Sequence, residues 1–154
     1  MTEAALISDS REVVFDEIFP HTPDAIWKAL TSGELIDQWL MKQTGFEARL
    51  GNRFIFQTSP TADWDGQIHC EILELVPRER LAFSWKSGSH TSSGYAPRLD
   101  TVVTWTLAHH DNGTRLRLVH SGFVMPKDES TYKNISRGWP TIVPRLIAIA
   151  ARFT

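Results

Sequence analysis

The sequence predicts an α+β fold: a curved antiparallel six-stranded sheet wrapped around a long C-terminal helix, with two short helices between strands 1 and 2. Three observations carry that expectation. Through the middle of the chain, apolar residues recur at every second position, as half-buried strands require. Turn residues join most of these runs directly, which makes neighbours antiparallel. From about residue 128 the spacing changes to steps of three and four, and only this last segment is long enough to cover the sheet.

Each element has its own signal. REVVFDEIF (11–19) alternates and is rich in β-branched and aromatic residues, so it reads as a strand. HTPDAIWKAL turns helical, with Thr22 suited to the N-cap and Pro23 to the first helical position, where its missing N–H is harmless. Ile26, Trp27 and Leu30 form the stripe of this helix, and Leu35, Ile36, Trp39 and Leu40 that of a second one over 33–41. NRFIFQ (52–57) sets Phe54 and Phe56 on one face. Over 65–77, Ile68, Cys70 and Ile72 alternate, after which Leu73 and Leu75 take the opposite parity and predict a bulge near Leu73. Leu81, Phe83 and Trp85 share a face over 79–86, as do Leu99, Val103, Trp105 and Leu107 over 98–108. Asp-Asn-Gly at 111–113 signals a hairpin. The following strand, 114–123, points Leu116, Leu118 and His120 inward against Arg115, Arg117 and Val119.

The tail can be capped by Asp128 or Ser130 and carries Tyr132, Ile135, Trp139, Ile142, Val143, Leu146, Ile147 and Ala150 at helical spacing. It also contains Pro140 and Pro144, each worth about 3 kcal/mol against a helix interior. The stripe keeps its phase through both prolines, which favours one helix kinked between about 136 and 144. Gly138 followed by Pro140 also fits a true break.

The totals describe one domain, 1–154, with 42% hydrophobic residues and a net charge of -2. That charge, without a Lys/Arg cluster, gives no footprint for nucleic acid. No apolar run approaches the ~20 residues that span a bilayer, and the N-terminus lacks a signal-peptide layout. Cys70 is the single cysteine, so no internal disulfide forms, and a reducing, cytoplasmic setting is expected.

Five stretches carry a resemblance: 20–40, 65–85, TVVTWTL (101–107), TRLRLVHSGF (114–123) and GWPTIVPRL (138–146). Their most specific pieces are Pro23 with Ile26-Trp27 and Ala29-Leu30-Thr31, Trp39, and His120-Ser121-Gly122-Phe123 followed by Gly138-Trp139. On these the chain resembles the Hsp90-ATPase-activator homologue family of the START-like (SRPBCC, Bet v 1-like) superfamily, which implies the helix-grip fold. Members usually lack proline at the positions of Pro140 and Pro144. The resemblance does not imply Hsp90 as a partner here, because many members are small bacterial proteins; a chain without the additional N-terminal domain of a full co-chaperone is expected.

Candidate site residues follow from parity. Phe54, Phe56, Trp85, Trp105, Tyr132 and Trp139 can line a cavity or simply fill the core. His120 faces the helix, either as a ligand-binding or acid–base group or as a core histidine bonded to backbone or to Ser121. Glu17 shares parity with Phe15 and Phe19, and Asp16 with Val14 and Ile18, so one carboxylate should point inward and need a partner. In the helix-grip fold the first and last strands are neighbours, which would let that carboxylate meet His120. The polar segment 87–97 can gate a cavity or be a plain connection. His109-His110-Asp111 reads as a solvated loop and Cys70 as an inert buried thiol, so no metal, cofactor or catalytic residue is expected. The expected function is binding of an apolar or aromatic small molecule between helix and sheet. The alternatives are a protein-interaction module, chaperone-linked or a homodimer, and an enzyme of the cyclase or hydrolase kind.

Overall fold

The computed structural model describes residues 10–61, 64–88 and 98–153. Its elements run β1 (Ser10–Phe19), α1 (Pro23–Leu30), α2 (Gly33–Trp39), β2 (Lys42–Thr44), β3 (Arg53–Gln57), β4 (Gln67–Val76), β5 (Arg80–Ser87), β6 (Leu99–His110), β7 (Gly113–Val124) and α3 (Glu129–Ala150), closed by a 3-10 turn at Ala151–Phe153. The sheet is antiparallel throughout, in the order β1-β7-β6-β5-β4-β3-β2. It therefore has seven strands where six were expected. The additional one, β2, holds only Lys42, Gln43 and Thr44, with no apolar residue to mark it, and pairing with β3 alone makes it a strand.

Local chemistry explains the short helices. Thr22 Oγ1 accepts from the Ala25 N–H at 3.2 Å, and Ser32 Oγ from the Leu35 N–H at 3.3 Å, so each helix starts on a hydroxyl cap. The Trp39 indole donates to the Ala29 carbonyl at 2.9 Å and ties α2 to α1.

Two bulges set which residues face α3. On β4, Ile72 opposes Phe83 and Glu74 opposes Ala82, so Leu73 is the extra residue, exposed, and Leu75 returns toward the interior. On β7, Glu12 opposes Ser121 and Arg11 opposes Phe123, which leaves Gly122 as the extra residue at φ +103°. That single insertion turns both His120 and Phe123 inward. A Cβ on Gly122 would stand 3.2 Å from the Asp100 carbonyl oxygen, so the close approach of β6 asks for glycine as much as the backbone angle does.

α3 runs unbroken through both prolines. Pro140 and Pro144 lie on its exposed side, where the carbonyls they leave unpaired, those of Ser136 and Pro140, can turn to water. Trp139, Val143, Leu146, Ile149 and Ala150 form the buried stripe. Asp128 occupies the N-cap position, yet its side chain makes no capping bond; it points back to the Val124 N–H and to Lys127.

Candidate functional site

The inward rows of β3 to β7 meet α3 in one buried aromatic core, which among the described residues contains no Asp, Glu, Lys or Arg. It is packed with rings in edge-on or tilted contact. Phe54 touches Phe56 (5.4 Å between centroids), Phe56 touches Trp85 (5.7 Å), Trp85 touches Trp139 (5.8 Å) and Trp139 touches Trp105 (5.6 Å). Tyr132 joins through Phe123 (5.4 Å), which lies 4.8 Å from His120. Seven of the eight residues singled out by parity thus form one cluster.

Glu17 stands apart. It has the inward parity, but β1 is an edge strand, its inner row is open to water along one side, and Glu17 is exposed. It opposes Leu116, while His120 opposes Val13, four residues and about 13 Å further along. The expected interior carboxylate is therefore absent at this position. Asp16 faces outward and is gripped by Arg115 through Nε (2.9 Å) and Nη2 (2.7 Å), a hydrogen-bonded pairing that holds its carboxyl below the usual range.

His120 instead belongs to a closed chain of hydrogen bonds. The Trp139 indole can only donate, so its bond to His120 Nδ1 (3.1 Å) makes Nδ1 an acceptor and leaves the ring proton on Nε2. Nε2–H then donates to Thr101 Oγ1 at 2.8 Å, and the Thr101 hydroxyl donates to the Trp85 carbonyl at 2.8 Å. His120 is fully buried, and burial pushes its pKa down to about 3. Protonating Nδ1 would also set two donors face to face. A group so held neither gives nor takes a proton near neutral pH, which removes the pairing of histidine and carboxylate from consideration as acid and base.

Thr101 escaped the reading of the sequence, although it shares parity with Val103 and Trp105; its position across from Trp85 and diagonal to His120 emerges only from the strand register. The interior also holds an orphan. Trp105 Nε1 is buried without a hydrogen-bond partner; among the described residues His21 Nδ1 is the other such atom. Cys70 is buried and its thiol pKa is pushed far up by burial, so it stays protonated. Among the described residues no group of His, Cys, Asp and Glu has the makings of a metal site, and no helix is long and apolar enough to cross a membrane. Residues 89–97 of the polar segment lie outside the described residues.

A family model described as Activator of Hsp90 ATPase homolog 1-like protein matches residues 20–151. The chain belongs to that family. Its helix-grip architecture is shared, with TM-score 0.79 and 35% identity, by protein MLL2253 from Mesorhizobium loti, over 94% of this chain and 99% of that one. CalU16 from Micromonospora echinospora has the same fold at 23% identity and TM-score 0.69, covering 92% of this chain and 76% of its own. The mouse Activator of 90 kDa heat shock protein ATPase homolog 1 is 23% identical over 128 residues, 83% of this chain. The chain spans about a third of the length of that relative. The resemblance carried by Pro23, Trp39, His120-Ser121-Gly122-Phe123 and Trp139 is thus a family membership. Three of those pieces are explained here by a helix start, a helix-to-helix tie and the Gly122 bulge.

Proposed function

We propose that this member of the Activator of Hsp90 ATPase homolog 1-like family binds an apolar or aromatic small molecule carrying one hydrogen-bond acceptor, between α3 and the concave face of the sheet. The observation that carries the proposal is the orphan indole N–H of Trp105 inside a charge-free aromatic core. A buried donor without an acceptor costs about 1–3 kcal/mol, and a ligand carbonyl, ether or hydroxyl would recover it. SRPBCC-like folds commonly take hydrophobic ligands, which supports the same reading. A two-ring molecule burying roughly 300 Å² of apolar surface would gain about 7 kcal/mol gross, enough for measurable affinity after association costs. Catalysis is a weaker reading, because His120 is locked neutral and Glu17 is outside.

The test pairs naphthalene with 2-acetylnaphthalene and follows quenching of tryptophan fluorescence. Saturable binding of both, tighter for the ketone by about fivefold, is the expected result. W105F should abolish the preference. Absence of saturable quenching by either would refute the proposal.

A second reading has its own observation. Val14 (47%), Ile18 (52%) and Val124 (47%) expose apolar surface on and beside the edge strand β1. A relative from Colwellia psychrerythraea, 17% identical, is described as a dimer. Sedimentation over a hundredfold range of concentration would detect self-association and decide this alternative.

A further inference from the structure

The helix that covers the sheet is built in two unequal halves. From Glu129 to Gly138 no residue is fully buried, and Tyr132 and Ile135 supply the apolar packing. From Trp139 to Ala150, five residues are 7% exposed or less. The boundary between the halves is weak in a way that packing does not demand. A Cβ added to Gly138 would meet nothing within 4 Å, and its φ lies outside the left-handed region, so neither crowding nor backbone angle calls for glycine. Pro140, two residues on and exposed, withholds the N–H that Ser136 would have received; Pro144 repeats the loss one turn later.

Both ends are pinned. Trp139 is fastened to His120 through its indole N–H. At the other end Asp128, 2% exposed, accepts from the Val124 N–H (2.8 Å) and from Lys127 Nζ (2.7 Å), and Lys127 also donates to the Arg98 carbonyl. Between the pins the light half packs on the core through Tyr132 and Ile135; the Tyr132 ring rests on Phe123 and its hydroxyl reaches the Glu12 carbonyl at a long 3.4 Å.

The geometry points to a hinged strap: residues 129–138 pivot at the Ser136–Pro140 joint and lift from Phe123 and β1, while 139–150 stay on the sheet. Lifting Tyr132 bares Phe123, behind which lie His120 and Trp85, so the strap is the door to the aromatic core. Its role as a door rests on the ligand proposal above; the joint does not.

Hydrogen–deuterium exchange on the full chain tests the joint without any ligand. Amides of 130–138 should exchange faster than those of 141–150. G138A should slow exchange in the first half up to about fivefold and P140A up to about a hundredfold, by their helix propensities. Equal protection of the two halves, or an asymmetry unchanged in both variants, overturns the joint. The door is tested by the association rate of 2-acetylnaphthalene, which should fall in both variants. An unchanged rate with slowed exchange overturns the door and leaves the joint standing. If the wild type binds nothing, the ligand reading and the door fall together, and exchange alone judges the joint.

Discussion

Acidification from pH 7 to pH 5 should destabilise this protein through His120, and the size of the effect can be worked out. In the unfolded chain a histidine titrates near 6.5, whereas in the fold burial holds His120 at about 3. Between those values the unfolded state binds a proton that the native state refuses, so stability falls as pH falls. The stabilisation is present in full above the unfolded pKa and is lost progressively between about 6.5 and 3. From pH 7 to pH 5 the linkage integral for this one group is about 2 kcal/mol. The assay is urea unfolding of the wild type and of H120Q, whose amide can accept from Trp139 and donate to Thr101 without titrating. At an m-value of about 2 kcal/mol/M the wild-type midpoint should drop about 1 M further than that of the variant between the two pH values. The comparison cancels every other titrating group. Parallel loss in both proteins would refute the argument, because His120 would then be solvated or stabilised as a cation in the native state.

Three further outcomes follow from single contacts. T101V removes both an acceptor for His120 Nε2–H and a donor to the Trp85 carbonyl, and should cost roughly 2–4 kcal/mol in chemical denaturation, while T101S recovers most of it. G122A forces a Cβ to 3.2 Å from the Asp100 carbonyl oxygen at a φ that side chains rarely adopt; it should cost about 1–3 kcal/mol and weaken near-ultraviolet circular dichroism, since the bulge aims both His120 and Phe123. Cys70 should resist Ellman's reagent in the native protein and react at the rate of unfolding, a labelling time course that fast native reaction would contradict.

The strands were legible because apolar alternation is a local property: Phe54 and Phe56, or Leu81, Phe83 and Trp85, need no partner to declare a face. The Leu73 bulge was legible for the same reason, since parity visibly changes there. What escaped depends on neighbours in space. β2 has no apolar residue and exists through its pairing with Phe56 and its flanking residues. Glu17 has an inward parity, yet parity says nothing about whether a strand lies at an edge. Thr101 and His120 come together through the β6–β7 register, which runs without a shift from the hairpin at Asp111. The rings of the core could be named one by one, while the hydrogen bonds that give His120 its character could not.

Those bonds also explain why a histidine stands where a leucine would fill the space. The chain from Trp139 through His120 and Thr101 to the Trp85 carbonyl crosses α3, β7, β6 and β5 in turn. Apolar rings tolerate sliding, because a shifted ring still buries area. Turning α3 by one residue would swing Trp139 through about 100° and leave a buried indole N–H and an imidazole nitrogen unpaired, at about 1–3 kcal/mol each. The polar chain therefore selects one rotation and one axial position of the helix among several that burial alone would accept, the use of a buried polar group best attested elsewhere as a register pin. Its place matters as much as its strength. The pinned residue is Trp139, the first after Gly138, so the helix is held in register immediately beside the point where it is weakest, and motion at that joint is confined to the half that carries Tyr132.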